Sequence, residues 1–408
     1  MEIKIWKERK LYYVTVGALF LLMVLFTRAM LLGNISQIAG LAFALACLVL
    51  NMDPRIERRN IVLLVSCFLF FTYCLLSGII NDPGDRTKLI LQIFFYWVLF
   101  TLAAAAVLGR KNVEKSFGRL LTIVLIACTV SYLISFALGM TIGWDRIRLF
   151  MLDYKYEYIS PVYLPFTPTY GDITFSSFKI PRMLSIGREV GISQMFYIWA
   201  YFRAGDFFKK TRFVKLFLAI GVFCCLSATG LVIFVALLVF EKITGFKNIS
   251  DKIKPKDLVF YILPVVIVVF AVLLLMKGGN LSLSTRMDIS YSERSKAFDF
   301  AYQEIMKNPL FGSGFMKDYS STEVQAGIAF LSSVGSVGII GFILFINIYV
   351  QALLRAEDKR KFILCNASFL ITTLLAQPIY TSAIIYIFLF CDYSKTNTVK
   401  LYLKEQDK

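Results

Sequence analysis

Histidine is absent from the 408 residues of this chain. That removes the usual general base near neutral pH and the commonest metal ligand. Charge is scarce as well. Asp, Glu, Lys and Arg together make up 17% of the chain, where a soluble domain usually carries about 25%. The eight cysteines all fall inside apolar runs and form no Cys-x-x-Cys pair. They read as small apolar core residues, so neither a disulfide framework nor a metal cluster is expected.

What the chain has in excess is apolar length. Hydrophobic residues make up 58% of it, and the mean hydropathy is +0.69. A membrane-crossing helix needs about 20 mostly apolar residues, and such runs repeat from end to end. The expected fold is an all-α polytopic integral membrane protein, one transmembrane domain over residues 1–408. About twelve spans are expected: 11–27, 34–51, 61–80, 88–108, 120–140, 188–203, 212–227, 229–243, 258–276, 327–352, 362–377 and 379–392. The seventh and eighth share the tight turn "LSATG". The charged first ten residues run directly into a span, so no cleavable leader is expected.

The net charge of +17 raises nucleic acid as a partner, but its distribution argues against one. If the N-terminus lies in the cytoplasm and the spans alternate, every inner segment is basic, from Lys4 and Lys7 through Arg110, Lys111, Arg119 and Arg203 to Arg355 and Lys361. The short outer turns hold only Arg28, Arg86 and Lys88. Such asymmetry sets membrane orientation and favours anionic headgroups. It predicts both termini in the cytoplasm and membrane lipid as a partner.

Two long connections then lie outside, at 141–187 and 277–326, where long loops are usually functional or disordered. The first holds many aromatic side chains, among them Tyr154, Tyr156, Tyr158 and Tyr170, and four of the ten prolines. Proline fixes an extended backbone, and aromatic faces suit sugar rings or lipid interfaces. Plain packing on the helices is the alternative. The second loop contains "SERSKAFDFAYQEIMKNPLFGSG", where Phe298, Tyr302 and Ile305 share a helical face and Pro309 ends the run. It reads as an amphipathic helix lying along the outer surface. Gly335, Gly338 and Gly341 recur every third residue and read as a close-packing stripe.

Charge reappears at one unexpected place. The stretch "PRMLSIGREVGISQMFYIWAYF" sets Arg182, Arg188 and Glu189 at the mouth of an apolar helix. A charge at mid-membrane costs roughly 2.5–3.5 kcal/mol, and less near the interface. An Arg182–Glu189 salt bridge, or Glu189 favouring the helix dipole, would account for these charges without chemistry.

"RMLSIGREVG" resembles the Arg-x-x-Ser/Gly…Glu-Pro-Gly element of bacterial O-antigen and capsule polymerases (Wzy-type) and the related O-antigen ligases. Arg182, Ser185, Glu189 and Gly191 match it, and Val190 stands where proline is usual. Ser227 to Gly230 resembles the Ser-x-Thr-Gly element that follows in those proteins. Arg294 with Asn308, Pro309, Leu310, Phe311, Gly312 and Gly314 resembles their Arg…Asn-Pro-Leu-Phe-Gly-x-Gly element. The resemblance covers roughly residues 180–345. The ligase branch has a His-Asn pair after that last element, and this chain has "SSTEVQAG" there. A polymerase is favoured over a ligase on that ground.

The resemblance implies a bacterial cytoplasmic membrane location and a polyprenyl-diphosphate-linked oligosaccharide as substrate. It implies glycosyl transfer of the growing glycan onto a new lipid-linked unit. A chain-length regulator is a further partner that it leaves open. Arginine suits a diphosphate, because its fork pairs with phosphate oxygens and keeps its charge. Arg182, Arg188 and Arg294 are the expected diphosphate ligands, with Arg286 a weaker fourth. No cofactor or metal is then needed, and the outer loops carry no Asp-x-Asp pair. Without histidine the base is a carboxylate. Glu189 is the first choice, with Glu323 and Asp172 as alternatives. Tyr154, Tyr156, Tyr158 and Tyr170 are the expected sugar-binding residues. A lipid-linked-sugar flippase is the reading from another class. The long outer loops, and the lack of a repeat between the halves, favour an enzyme.

Overall fold

The computed structural model describes residues 2–50, 58–81, 87–154, 158–175, 178–245, 302–303, 305–315, 330–375 and 379–394. Five helices come first: α1 (Glu2–Leu25), α2 (Gln37–Leu50), α3 (Arg58–Asn81), α4 (Thr87–Val107) and α5 (Lys111–Ile142). Strands β1 (Arg148–Tyr154), β2 (Tyr158–Tyr163), β3 (Thr167–Phe175) and β4 (Phe178–Met183) follow. The chain returns to helix in α6 (Val190–Phe207), α7 (Thr211–Cys224), α8 (Ala228–Gly245), α9 (Phe330–Arg355), α10 (Lys359–Leu375) and the short α11 (Ile384–Ile387). Segments Asn60–Asn81, Thr87–Val107, Lys111–Ile142 and Val334–Arg355 are long and apolar enough to cross a membrane, and Lys10–Leu25 and Gln37–Leu50 are shorter apolar helices. The chain is thus built as a helical membrane protein.

Three expectations need correction. The fold is not all-α, because much of the 141–187 connection is a four-stranded antiparallel sheet in the order β1-β2-β3-β4. Its prolines do extend the backbone, but β-branched and aromatic neighbours make that backbone pair. Pro161 stands opposite Met151, Pro168 opposite Val162 and Pro181 opposite Asp172. The 379–392 run is not one helix either. It is a 3-10 turn (Ile379–Thr381), α11 and a second 3-10 turn (Phe388–Phe390), with every residue from Ile384 to Cys391 fully buried. Apolar composition there reflects a protein core rather than a lipid face. The expected span 258–276 lies outside the described residues, as does most of the amphipathic run of the second loop.

Gly338 supplies the third correction. It takes φ +67° and breaks α9 instead of forming a smooth packing stripe. The Asn-Pro-Leu-Phe-Gly-Ser-Gly segment fills the break. Ser313 and Gly314 donate backbone N–H bonds to the carbonyls of Gly335 and Ser336, both at 2.9 Å. Ile339 and Ile340 donate to the carbonyls of Pro309 and Leu310, at 3.0 and 3.2 Å. Irregular backbone at membrane depth needs such partners, since lipid offers none. The Tyr73 hydroxyl of α3 lies 2.6 Å from the Val337 carbonyl and 3.1 Å from that of Phe311, clasping both sides. At Gly312 (φ +71°) and Gly338 the two backbones meet so closely that a Cβ on either would sit 2.5 Å from the other's nitrogen.

Helix α6 is the axis of the fold. No residue from Ile192 to Ala200 is more than 1% exposed, as suits a helix apolar on every side. It packs against α5, α7, α8 and α10. The buried Gln194 amide donates to the carbonyls of Val222 (2.9 Å) and Ser227 (3.2 Å), pinning the turn between α7 and α8. At the end of α6 away from the sheet, buried charges meet. Arg203 bonds to Glu114 of α5 and to Asp206, and Lys361 of α10 reaches Asp206 at 2.6 Å.

Candidate functional site

The site stands at the sheet end of the helices, where the loop from Leu184 to Glu189 leads into α6. Ser185 adopts φ +56°, a left-handed conformation that costs a non-glycine residue roughly 1–3 kcal/mol. The surroundings hold it there. The buried Ser185 hydroxyl lies 3.2 Å from the Tyr197 hydroxyl. Ser193, one turn into α6, bonds the Leu184 carbonyl and accepts the Gly187 N–H at 3.0 Å. The loop also pairs with the turn after α1. Leu31 donates to the Ile186 carbonyl (2.9 Å), and Arg188 donates to the Ala29 carbonyl (3.0 Å), around a Met30–Gly187 bridge. The loop is therefore a fixed platform.

That platform presents Arg188 and Glu189, both half-buried, with Arg188 Nη2 3.9 Å from Glu189 Oε1. Glu189 is the N-cap residue of α6, and its side chain makes no capping hydrogen bond. Its backbone carbonyl accepts the first helical N–H, from Ser193, at 3.0 Å. The carboxylate therefore does not fold back onto the helix amides, although it gains from the positive end of the dipole.

Beside the platform an open groove of about 600 Å³ runs between the α1–α2 turn, α4 and the sheet. Its walls are mainly apolar, with Phe26, Leu32, Ile93, Phe100 and Phe166 among them. Arg28 enters the lining, along with Gln37 and Gln92. Arg28 directly precedes Ala29, whose carbonyl holds the Arg188 N–H. One turn thus joins a cation in the groove wall to the Arg188–Glu189 pair.

Arg182 takes a different post. It sits half-buried on β4, where its Nε donates to the Tyr170 carbonyl at 3.1 Å and its guanidinium lies 5.3 Å from the centre of the Tyr170 ring. Two residues expected in separate roles, phosphate and sugar binding, are thus in contact. Glu189 forms an ion pair with its neighbour Arg188. Asp172 lies on β3, opposite Pro181. Burial first, and then the Asp172 charge, push the Tyr163 hydroxyl up to about 12, so Asp172 belongs to the sheet's own electrostatics. Tyr154 and Tyr158 face each other across the β1–β2 pairing, and their side chains lie outside what the structure describes. Tyr156, Arg286, Arg294 and Glu323 lie outside the described residues.

Sequence reasoning did not single out Arg28, which lines the groove; its signal is that it is one of few cations in the short outer turns. No protein-family model matches the chain, and neither a curated protein nor a solved structure matches it.

Proposed function

We propose that this chain polymerises polyprenyl-diphosphate-linked oligosaccharide units by glycosyl transfer at the outer face of a bacterial cytoplasmic membrane. A topology with both termini inside and the sheet outside belongs to this reading. The motif resemblance of residues 180–345 motivates it. The observation that carries it is the apolar groove with Arg28 in its wall and Arg188–Glu189 on the adjoining platform. An amphiphile with a long apolar tail and an anionic head needs that combination of surfaces.

In this reading the prenyl tail occupies the groove and the diphosphate meets Arg28 and Arg188. The acceptor sugar hydroxyl gives its proton to the Glu189 carboxylate. Its oxygen attacks the anomeric carbon of the donor glycan, and the bond from that carbon to the diphosphate oxygen breaks. The lipid diphosphate leaves with the bonding electron pair, and the arginines stabilise the charge that develops on it. Charge-assisted hydrogen bonds of this kind contribute roughly 1.5–3 kcal/mol each. Arg182, stacked on Tyr170, is placed in this reading to orient sugar.

The purified protein in vesicles with lipid-linked repeat units tests the reading. Polymer with new glycosidic bonds supports it. Movement of intact units across the bilayer without new bonds makes the chain a flippase instead.

A further inference from the structure

The turn between two strands of the sheet does more than lend Phe166 to the groove wall. We infer that the turn between β2 and β3, Leu164-Pro165-Phe166, is immersed in the lipid of the outer leaflet, with its partner the hydrocarbon of the bilayer itself. Three observations carry this.

The first is depth. Helix α5 carries no charge from Leu120 to Ile142, and its exposed Arg119 bonds the Phe207 carbonyl at 2.7 Å, marking the far boundary. At 1.5 Å per residue, Ser131 and Ser135 stand about 18 and 24 Å from Arg119, within a hydrocarbon core about 30 Å thick. The turn sits at that level. Ser131 Oγ lies 3.1 Å from the Phe166 carbonyl, and Ser135 Oγ lies 2.5 Å from the Leu164 carbonyl. Helix α6 gives a second ruler. It runs antiparallel to α5, with Phe207 packed on Gly118. Val190 therefore stands about 26 Å higher, level with about residue 136 of α5. Phe166, at the Ser131 level, thus lies deeper than the start of α6, and Leu164 stands about level with it.

The second is the side chains. Phe166 is 62% exposed and Leu164 40% exposed, and beside them on β1 Leu149, Phe150 and Met151 are 44–46% exposed. The Phe150 and Phe166 rings are 6.0 Å apart. A sheet with one face in water alternates polar with apolar residues, whereas β1 reads Leu-Phe-Met-Leu in an unbroken run between Arg148, opposite Tyr163, and Asp153.

The third is the backbone. Hydrocarbon offers a turn no hydrogen bonds. Leu164 N–H donates to the Ile147 carbonyl at 2.9 Å, and Pro165 has no N–H to satisfy. The Leu164 and Phe166 carbonyls each take a hydroxyl from α5. The Thr167 hydroxyl lies 2.7 Å from Ser131 and 2.8 Å from Ser135. Three hydroxyls and three protons serve this network: Ser131 donates to Phe166, Thr167 donates to Ser131, and Ser135 donates to the Leu164 carbonyl and the Thr167 hydroxyl, which share its proton.

The test uses the wild-type protein in phospholipid vesicles and does not depend on the proposed activity. A lipid-soluble photoactivated carbene probe and a water-soluble one are applied in parallel, and modified residues are located by mass spectrometry. The lipid-soluble probe is expected to label Leu164 and Phe166 at yields within about twofold of Ile134, an exposed residue of α5. The water-soluble probe is expected to label Lys179 on β4 and spare the turn. Labelling of the turn from water overturns the inference. So does labelling by neither probe, which would mean that protein, such as a second copy of the chain, covers it.

Discussion

Replacing Arg203 by Met tests the buried ion network at the far end of α6. The Arg203 side chain is 4% exposed and that of Glu114 is 3% exposed. Arg203 bonds Glu114 and holds Asp206 at 2.5 Å, while Lys361 holds Asp206 from its other side. Glu114 is also fixed by the Asp392 N–H at 2.7 Å. Removing the arginine leaves Asp206 its lysine but leaves Glu114 a buried charge with one backbone donor. Breaking a buried pair this way costs about 3–5 kcal/mol, a large share of the 5–15 kcal/mol that typically separates folded from unfolded protein. Arg203→Met should therefore melt well below wild type in detergent. The double change Glu114→Gln with Arg203→Met no longer strands a charge, so it should recover at least half of the loss. Unfolding followed by intrinsic fluorescence in the four members of this cycle gives the coupling. Additive single effects, with no recovery in the double variant, would refute the reasoning.

Further outcomes follow from other residues. Gly338→Ala puts a Cβ 2.4 Å from the Leu310 carbonyl in a backbone region (φ +67°, ψ −178°) that essentially only glycine adopts, which costs roughly 1–3 kcal/mol before any clash. It should expel the 309–314 segment and raise hydrogen exchange at Ser313, Gly314, Ile339 and Ile340. Tyr73→Phe should weaken the same clasp by about 1 kcal/mol, read as a smaller rise at those amides. Lys179→Cys, exposed on β4, should react with an impermeant maleimide in intact cells. Labelling only after lysis would place the sheet inside and end the proposed topology.

The sequence showed most of the helices because a bilayer demands long apolar runs, and such runs cannot be hidden. Spans 61–80 and 88–108 match α3 and α4 to within a few residues. The sheet was harder to read. Its strands carry the same aromatic and proline signals as an extended loop, and only the antiparallel partners, brought together in three dimensions, distinguish the two. The 379–392 run failed for another reason, since an apolar core and a lipid face have the same composition. Arg188 and Glu189 were legible as a pair because charge at a helix mouth needs a cause. Their connection to Arg28 was not legible, because it passes through a bridge between Met30 and Gly187, far apart in sequence. The same limit hid Arg203, which was counted as a cation of an inner segment and lies buried against Glu114.

The central claim is that the groove and its platform form a catalytic site for a lipid-diphosphate glycan. Its most direct test is polymer yield from lipid-linked repeat units in vesicles, with donor binding measured on the same samples, for wild type, Arg28→Ala and Glu189→Gln. Arg28→Ala should bind the donor roughly ten- to a hundredfold more weakly, the loss of one charge-assisted contact. Glu189→Gln should bind it normally and make no polymer. Full polymerisation by Glu189→Gln, with unchanged donor affinity in Arg28→Ala, would contradict the account.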